Sequence, residues 1–239
     1  MTAVPVPCNN KLLAALPEEV QRRLFPCLEQ VFLPLGTVIY EPGDALGQVY
    51  FPVDIIVSLL YVLENGAAAE IAVVGNEGVV GIPLVLGGFS TTSRAVVQSE
   101  GYVYLLSEEH LKKEFDRHGK LHALLLRYTQ CLLTQVGQTA VCYRHHTIEQ
   151  QLCRWLLLSL DRLSGNRLIM TQELIANMLG VRREGVTEAA GRLQKRGIIQ
   201  YRRGDINVLD RQALEQCSCE CYRVLRTETD RLLQALAPR

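Results

Sequence analysis

The tightest constraint on this chain lies between Thr171 and Gly197. Ala176 stands four residues before Gly180, and Val186 stands six after it. Two short helices crossing at a sharp turn need that set. A small side chain at 176 lets the second helix approach, Gly180 takes the turn, and Val186 fills the joint core. Ile175, Leu179, Val181, Ala189 and Leu193 add apolar positions at helical spacing. Thr171 can cap the first helix, and Gly197 can end the second as a C′ residue. The pattern predicts a helix-turn-helix.

The polar side of the second helix carries Arg182, Arg183, Glu184, Thr187, Glu188 and Arg192. Arg can bridge guanine O6 and N7, Glu can accept from cytosine N4, and Thr can touch a thymine methyl. Ile198-Ile199 then leads into Tyr201-Arg202-Arg203-Gly204-Asp205 and Ile206–Leu209, which reads as a two-stranded wing with a basic, glycine-containing tip. A charged helix face alone is usually only a solvated face. With the turn spacing and the basic wing beside it, the combination favours double-stranded DNA as partner. Arg183, Glu184, Thr187 and Glu188 are the expected base readers. Thr171, Gln172, Arg182, Arg192, Arg202 and Arg203 are the expected backbone contacts.

Charge distribution agrees. The 239 residues hold 25 basic and 25 acidic side chains, yet residues 1–110 hold 4 basic and 12 acidic ones. Residues 182–203 hold seven Arg or Lys against Glu184 and Glu188. An acidic front joined to a basic back places the nucleic-acid-facing end at the back. No paired catalytic carboxylates, nucleophile motif or phosphate loop is present, so an enzyme is not expected. No apolar run reaches bilayer-spanning length, and Met1–Asn10 lacks a basic-then-apolar signal pattern. These features predict a cytoplasmic chain with no membrane partner, in which most of the eight cysteines stay reduced.

Residues 28–106 read as strands: Val31–Leu35, Val38–Tyr40, Val49–Phe51, Ile55–Leu63, Ala69–Val74, Val79–Leu86, Ala95–Val97 and Tyr102–Leu106. Gly36, Pro42-Gly43-Asp44, Glu64-Asn65-Gly66, Gly75-Asn76-Glu77-Gly78 and Gly87-Gly88 separate them. Short, evenly spaced strands predict a sandwich or barrel, and Asn65-Gly66 predicts a tight hairpin with positive φ at both residues. Ser107-Glu108-Glu109 opens a helix. A longer helix runs from past Gly119 to about Arg144. Along it Leu121, Leu125, Tyr128, Leu132, Gln135, Thr139, Cys142 and His146 alternate steps of four and three, an a/d seam. A core helix would show the same spacing. The apolar flanks favour a dimer helix with the barrel on one side and a second copy on the other. Thr147-x-x-Gln150 fits a capping box, which places a hinge at 144–147.

His118 and His122 stand four apart, a spacing that can hold a metal on a helix face. Two ligands do not make a site and no third is evident, so no metal and no cofactor are assigned. The tail, residues 211–239, reads as helical, with Cys217, Cys219 and Cys221 as candidate redox thiols. On a continuous helix Cys217 and Cys221 share a face and Cys219 points away, so the three converge only where the helix unwinds.

The order of these elements resembles the Crp–Fnr family of bacterial transcription regulators, over roughly residues 15–210. Gly36, Ile39, Glu41-Pro42-Gly43-Asp44 and Tyr50-Phe51 look like the opening of a cyclic-nucleotide-binding-type β-roll. The most specific part is Thr171-Gln172-Glu173-Leu174-Ile175-Ala176 with Gly180-Val181-Arg182-Arg183-Glu184. The resemblance implies an α+β fold. It has a cyclic-nucleotide-binding-like β-roll with flanking helices (1–119), a dimerisation helix and hinge (120–146), a winged helix-turn-helix (147–210) and a helical tail (211–239). It implies a homodimer on an inverted-repeat operator, with Arg183 and Glu184 reading bases and RNA polymerase a candidate partner.

The chain departs from the family's pattern at Arg182, where Ser is common, and at Glu188, where Arg is common. Nucleotide-binding members use a Gly-Glu pair for the ribose and an Arg-Ser or Arg-Thr pair for the cyclic phosphate. Here Gly81 is followed by Ile82, and the basic position reads Ser93-Arg94-Ala95, one residue out of step. On a strand that turns a side chain to the other face. Operator binding independent of cyclic AMP is therefore expected, with Arg94 and Ser93 as the ligand candidates should another anion enter the barrel. The family's closely spaced N-terminal cysteines for iron–sulfur are absent, and Cys8 and Cys27 stand alone. The alternative is a signalling module whose sensor domain answers to another ligand or to thiol oxidation.

Overall fold

A computed structural model describes residues 6–163 and 165–236. Met1–Pro5, within the segment expected to lack a signal, and Ser164, expected in the turn after Leu163, lie outside the described residues, as do residues 237–239. Two short helices, α1 (Lys11–Ala14) and α2 (Glu18–Leu24), precede the roll. The roll has two antiparallel sheets. One orders β1 (Glu29–Leu33), β7 (Gly101–Ser107) and β3 (Gln48–Pro52) as β1-β7-β3. The other orders β2 (Val38–Tyr40), β6 (Arg94–Ser99), β4 (Ile56–Val62) and β5 (Ala68–Val74) as β2-β6-β4-β5. Then come α3 (Glu108–Phe115), α4 (Lys120–His145) and α5 (Ile148–Leu160). The winged unit has β8 (Arg167–Ile169), α6 (Gln172–Leu179), α7 (Arg183–Lys195), β9 (Ile199–Arg202) and β10 (Asp205–Val208). The tail is α8 (Arg211–Cys217) and α9 (Glu220–Leu236).

The near-continuous apolar run of β4, interrupted only by Ser58, has a physical reason. Val57 and Leu59 point into the roll's core, while Ile56 and Leu60 join the core of the winged unit. Val73 and Val96 do the same from β5 and β6. A strand covered on both faces loses the apolar–polar alternation of a half-exposed one.

Two local expectations change. Val79–Leu86 is not a strand: Val80 only bridges to Tyr50, and a 3-10 turn follows at Ile82–Leu84. Pro83 has no N–H for a ladder, and Gly81 at φ +104° turns the chain out of it. At the β4–β5 hairpin only Gly66 takes positive φ (+82°). Leu63 N–H donates to Ala67 O at 2.8 Å and Gly66 N–H to Leu63 O at 2.9 Å. The loop is thus longer than the two-residue turn expected from Asn65-Gly66, with the glycine at its left-handed position.

The long helix forms as expected, but its seam is occupied from within. Leu121, Leu125 and Tyr128 are buried in the roll's core, and Leu132 packs at its edge. Gln135 donates to Val73 O at 3.3 Å, Thr139 accepts from Arg154, and Cys142 lies against Cys219. A second copy therefore cannot reach most of these positions. The free face lies beside them: Leu126, Leu133 and Val141 are 45%, 62% and 51% exposed. Tail helix α9 packs along α4, with Leu232 in the roll's core. His118 and His122 stack edge to face at 5.0 Å, and His122 also lies against Phe115 at 4.4 Å.

One buried acid sits between the two cores. Glu70, on β5, accepts from Ser58 Oγ at 2.5 Å and faces Trp155, with Arg154 and Arg162 within electrostatic range. Burial, the largest influence, pushes its carboxyl up from 4.5 to about 7. The folded chain thus holds a proton that the unfolded chain has lost, and this group's contribution to stability falls as pH rises from about 4.5 to about 7. Glu70→Gln should match the parent at pH 5 and be more stable at pH 8, by of order 3 kcal/mol in urea denaturation. An equal difference at both pH values would remove Glu70 from this role.

Candidate nucleic-acid interface

Local sequence sets each part of this surface. Thr171 caps α6, its Oγ accepting from Leu174 N–H at 3.3 Å. Gly180 ends α6 at φ +64°, a conformation that costs glycine nothing. Ala176 and Val186 are buried between the helices, with Ile175, Leu179, Ala189 and Leu193. α5 crosses close behind α7: a Cβ at Gly185 would stand 2.6 Å from Ile148 Cδ1. Gly197 at φ +71° closes α7 as expected. The wing is a two-residue hairpin in which Arg203 (φ +51°) and Gly204 (φ +82°) both take the left-handed region, with Arg202 opposite Asp205. β8 completes the sheet by pairing with β10, a strand that the sequence pattern left unread.

The expected site residues fall into two sets. Arg182, Arg183, Glu184, Thr187 and Glu188 are exposed at the start of α7, and Arg202 and Arg203 at the wing tip. Arg182, Arg183, Arg202 and Arg203 have no carboxylate partner among the described residues. Thr187, Gln172 and Arg192 are engaged with other side chains. Thr187 Oγ donates to Gln172 Oε1 at 2.7 Å, tying the two helices together. Arg192 is held by Glu149 Oε2 at 2.6 Å, and Arg196 shares that carboxylate at 3.2 Å. Arg167, which sequence reasoning passed over, forks onto Asp205 through two 2.8 Å hydrogen bonds, and the guanidinium holds the Asp205 carboxyl below its usual range. The field at the surface therefore comes from four free guanidiniums.

The winged unit is seated on the roll. Tyr143 Oη lies 2.9 Å from Glu70 O and 3.0 Å from Met178 O, so one hydroxyl bridges the hairpin and α6. A Cβ at Gly180 would stand 3.3 Å from Ala69 Cβ. Farther down, Arg162 Nε donates to Glu77 Oε1 at 2.7 Å, with both side chains 7% exposed.

Inside the roll, the stretch where a phosphate would sit is lined by Val49, Phe51, Ile82, Leu84, Ala95 and Val97, all buried in one core. Arg94 lies on the opposite face of β6 from Ala95, in a 2.6 Å ion pair with Glu41. Ser93 Oγ pairs with Thr91 Oγ1 at 2.9 Å.

The tail breaks where the cysteines lie. Ser218 is extended (ψ 160°) between α8 and α9, its N–H satisfied by Leu214 O and Glu215 O. The break turns Cys219 inward beside Cys221, against Cys142 and His146 at the end of α4. Cys217 stays outside, where it accepts from Arg196 Nη2 at 2.9 Å. Hydrogen bonding from Cys142 lowers the Cys219 thiol to about 5, and the same contact raises that of Cys142.

Two family models match the chain: the cyclic nucleotide-binding domain over residues 30–118 and the Crp-like helix-turn-helix domain over residues 150–217. Among solved structures, a crp/fnr-family transcriptional regulator from Eubacterium rectale is similar, with TM-score 0.68 and 16% identity over 86% of this chain and 96% of that one. FixK2 from Bradyrhizobium japonicum has TM-score 0.67 and 20% identity over 80% and 98%. The c-di-GMP responsive regulator CLP from Xanthomonas campestris has TM-score 0.63 and 17% identity over 80% and 99%. No curated protein sequence matches. Among the described residues, no helix is long and apolar enough to cross a membrane.

The two sets of arginines should separate in a duplex-binding assay. Arg203→Ala should weaken binding to any sequence and lower the slope of log K against log salt by about 1. Arg183→Ala should cost about 1–3 kcal/mol on the preferred sequence and relax choice at one base pair. Arg192→Ala should leave the salt slope unchanged, since Glu149 already neutralises it. Anisotropy titrations over a salt series read all three, and an Arg192 effect equal to that of Arg203 would refute the division.

Proposed function

We propose that this chain, which belongs to the Crp–Fnr family of transcription regulators, binds promoter DNA as a homodimer at an inverted repeat without needing cyclic AMP. The observation that carries the DNA reading is the set of four free guanidiniums, at Arg182, Arg183, Arg202 and Arg203, on the start of α7 and the wing tip. A helix N-terminus entering a major groove with a basic wing over the adjacent backbone uses that arrangement. Arg183 and Glu184 read bases, Thr187 and Glu188 lie one turn on, and Thr171 and Gln172 approach the backbone from the first helix. Promoter binding places the chain in the cytoplasm, with RNA polymerase as candidate partner.

The dimer uses the face of α4 that its own chain leaves open. Leu126, Gln130, Leu133, Gly137, Ala140 and Arg144 alternate steps of four and three, and all are exposed, with Val141 beside them. Gly137 has open space around it, which lets two helices approach closely. Two copies joined there would set their two α7 helices about 34 Å apart, one turn of DNA. The double variant Leu126→Glu/Leu133→Glu should be a folded monomer with lost operator binding. Leu125→Glu should instead destabilise the roll, because that residue is 1% exposed inside it. Sedimentation and thermal unfolding distinguish the two. A dimer that survives the double change would move the interface elsewhere.

Independence from cyclic AMP follows from the roll's interior. Ile82 occupies the place of a ribose-binding carboxylate, and Arg94 is paired with Glu41 on the far face of its strand. Each missing charge-assisted bond removes about 1.5–3 kcal/mol, so binding weakens by roughly two to four powers of ten. Calorimetric titration should show no micromolar binding, and operator affinity should be the same with and without the nucleotide. A micromolar binding heat would overturn this part.

A further inference from the structure

The end of α4 and the start of α9 bring four metal-ligating side chains to one point. Cys142 and His146 are one helical turn apart, and Cys219 and Cys221 flank Glu220. Their ligand atoms all lie within 4.8 Å of one another. Cys142 Sγ is 3.5 Å from Cys219 Sγ, and Cys221 Sγ is 3.5 Å from His146 Nδ1. Zinc–sulfur bonds of about 2.3 Å in tetrahedral geometry separate neighbouring sulfurs by about 3.8 Å. The four atoms thus stand near ligand spacing already. We propose that Cys142, His146, Cys219 and Cys221 form a closed zinc site that staples the tail helix to the hinge.

The surroundings fit a thiolate-rich centre in three ways. His146 Nε2 lies 3.2 Å from Glu220 Oε2, which fixes Nε2–H as donor and leaves Nδ1 free to bind. A carboxylate behind a ligating imidazole is the usual support for such a ligand. Gln138 Nε2 donates to Cys221 Sγ at 3.1 Å. Arg154 is 3% exposed, its Nε has no partner, Nη1 donates to Thr139 Oγ1 at 3.2 Å, and the guanidinium lies over the Tyr143 ring at 5.6 Å. No carboxylate pairs with it among the described residues, and its charge is felt by Cys142. The anion within its electrostatic range is Glu70, whose carboxyl burial pushes up to about 7, so the buried cation is incompletely balanced and a further negative charge beside it is favourable. Three thiolates around a divalent ion leave one net negative charge, and this supplies it. On binding, the thiol protons that the three cysteines still hold pass to solvent.

The three sulfurs are buried and the imidazole nearly so, which closes the site to water and marks it as structural rather than catalytic. Soft thiolates select zinc over magnesium or calcium. His146 is the C-cap of α4, and Thr147 caps α5, so the metal would sit on the junction between the long helix and the winged unit.

The test uses the full chain, purified under reducing conditions, with metal measured by mass spectrometry. One zinc per chain is expected. Cobalt added to chelator-treated protein should give thiolate charge-transfer bands and the d–d bands of a tetrahedral site. Cys221→Ser should lose both signals, and Cys217→Ser should keep them. Glu220→Gln should bind zinc about 10–100-fold more weakly in chelator competition. Cys142 and Cys221 are both fully buried, so Glu220→Gln, whose side chain is exposed, carries the test should either serine variant fail to fold. Iron in place of zinc, a Cys142–Cys219 disulfide with no metal, or unchanged zinc affinity in Cys221→Ser would each overturn the proposal.

Discussion

The sheet formed by β2, β6, β4 and β5 is covered on both faces where β4, β5 and β6 lie, and the rest of the arrangement follows from that. Its inner face closes the roll, while Ile56, Leu60, Val73 and Val96 on its outer face are shared with the winged unit. Two cores thus meet through one layer of backbone. Glu77 and Arg162 lock the edge of this contact with a buried ion pair. Their approach needs the glycines of the same turn: a Cβ at Gly75 would stand 2.7 Å from Arg162 Cγ, and one at Gly78 would stand 2.5 Å from Tyr128. Asn10 reaches Gly78 O from α1 at 2.9 Å. Four residues of turn thereby hold the first helix, the long helix and the end of α5 in register.

Much of this was legible in the sequence where local chemistry decides the outcome. The helix-turn-helix depends on Ala176, Gly180 and Val186, each of which does one steric job that few other residues do. The capping box at Thr147 and Gln150 is local in the same sense. Legibility failed where the partner is distant. Heptad spacing on α4 identified a buried stripe but could not say what buries it. The roll, α9 and Arg154 take that stripe, and the open face lies next to it. Pro83 was the visible sign against a strand at Val79–Leu86, overridden by its apolar neighbours.

The cysteine cluster shows the same limit more sharply. Helix-face spacing was noticed at His118 and His122, which only stack on each other and on Phe115. Identical spacing at Cys142 and His146 was read only as part of a seam, because the other two ligands come from a tail 75 residues on. Those two face inward only because the helix stops at Ser218, a residue with a modest preference for ending one. No periodicity in the sequence announces that break. Likewise Arg192 looked free in the sequence, and its partner Glu149 lies on another helix.

The close approach of His146 and Cys221 has a consequence for the design of the chain as a whole. The peptide enters the winged unit just after one and, by way of α8, returns from it at the other, so entrance and return share a single point on the long helix. A unit with that geometry is an insert in the architectural sense, a bead hung by both strings from one knot. Any swing of the unit about that knot has to open the apolar layer it shares with Ile56, Leu60, Val73 and Val96. A unit of another kind hung from the same knot would therefore also have to present an apolar face to the outer side of the roll's sheet.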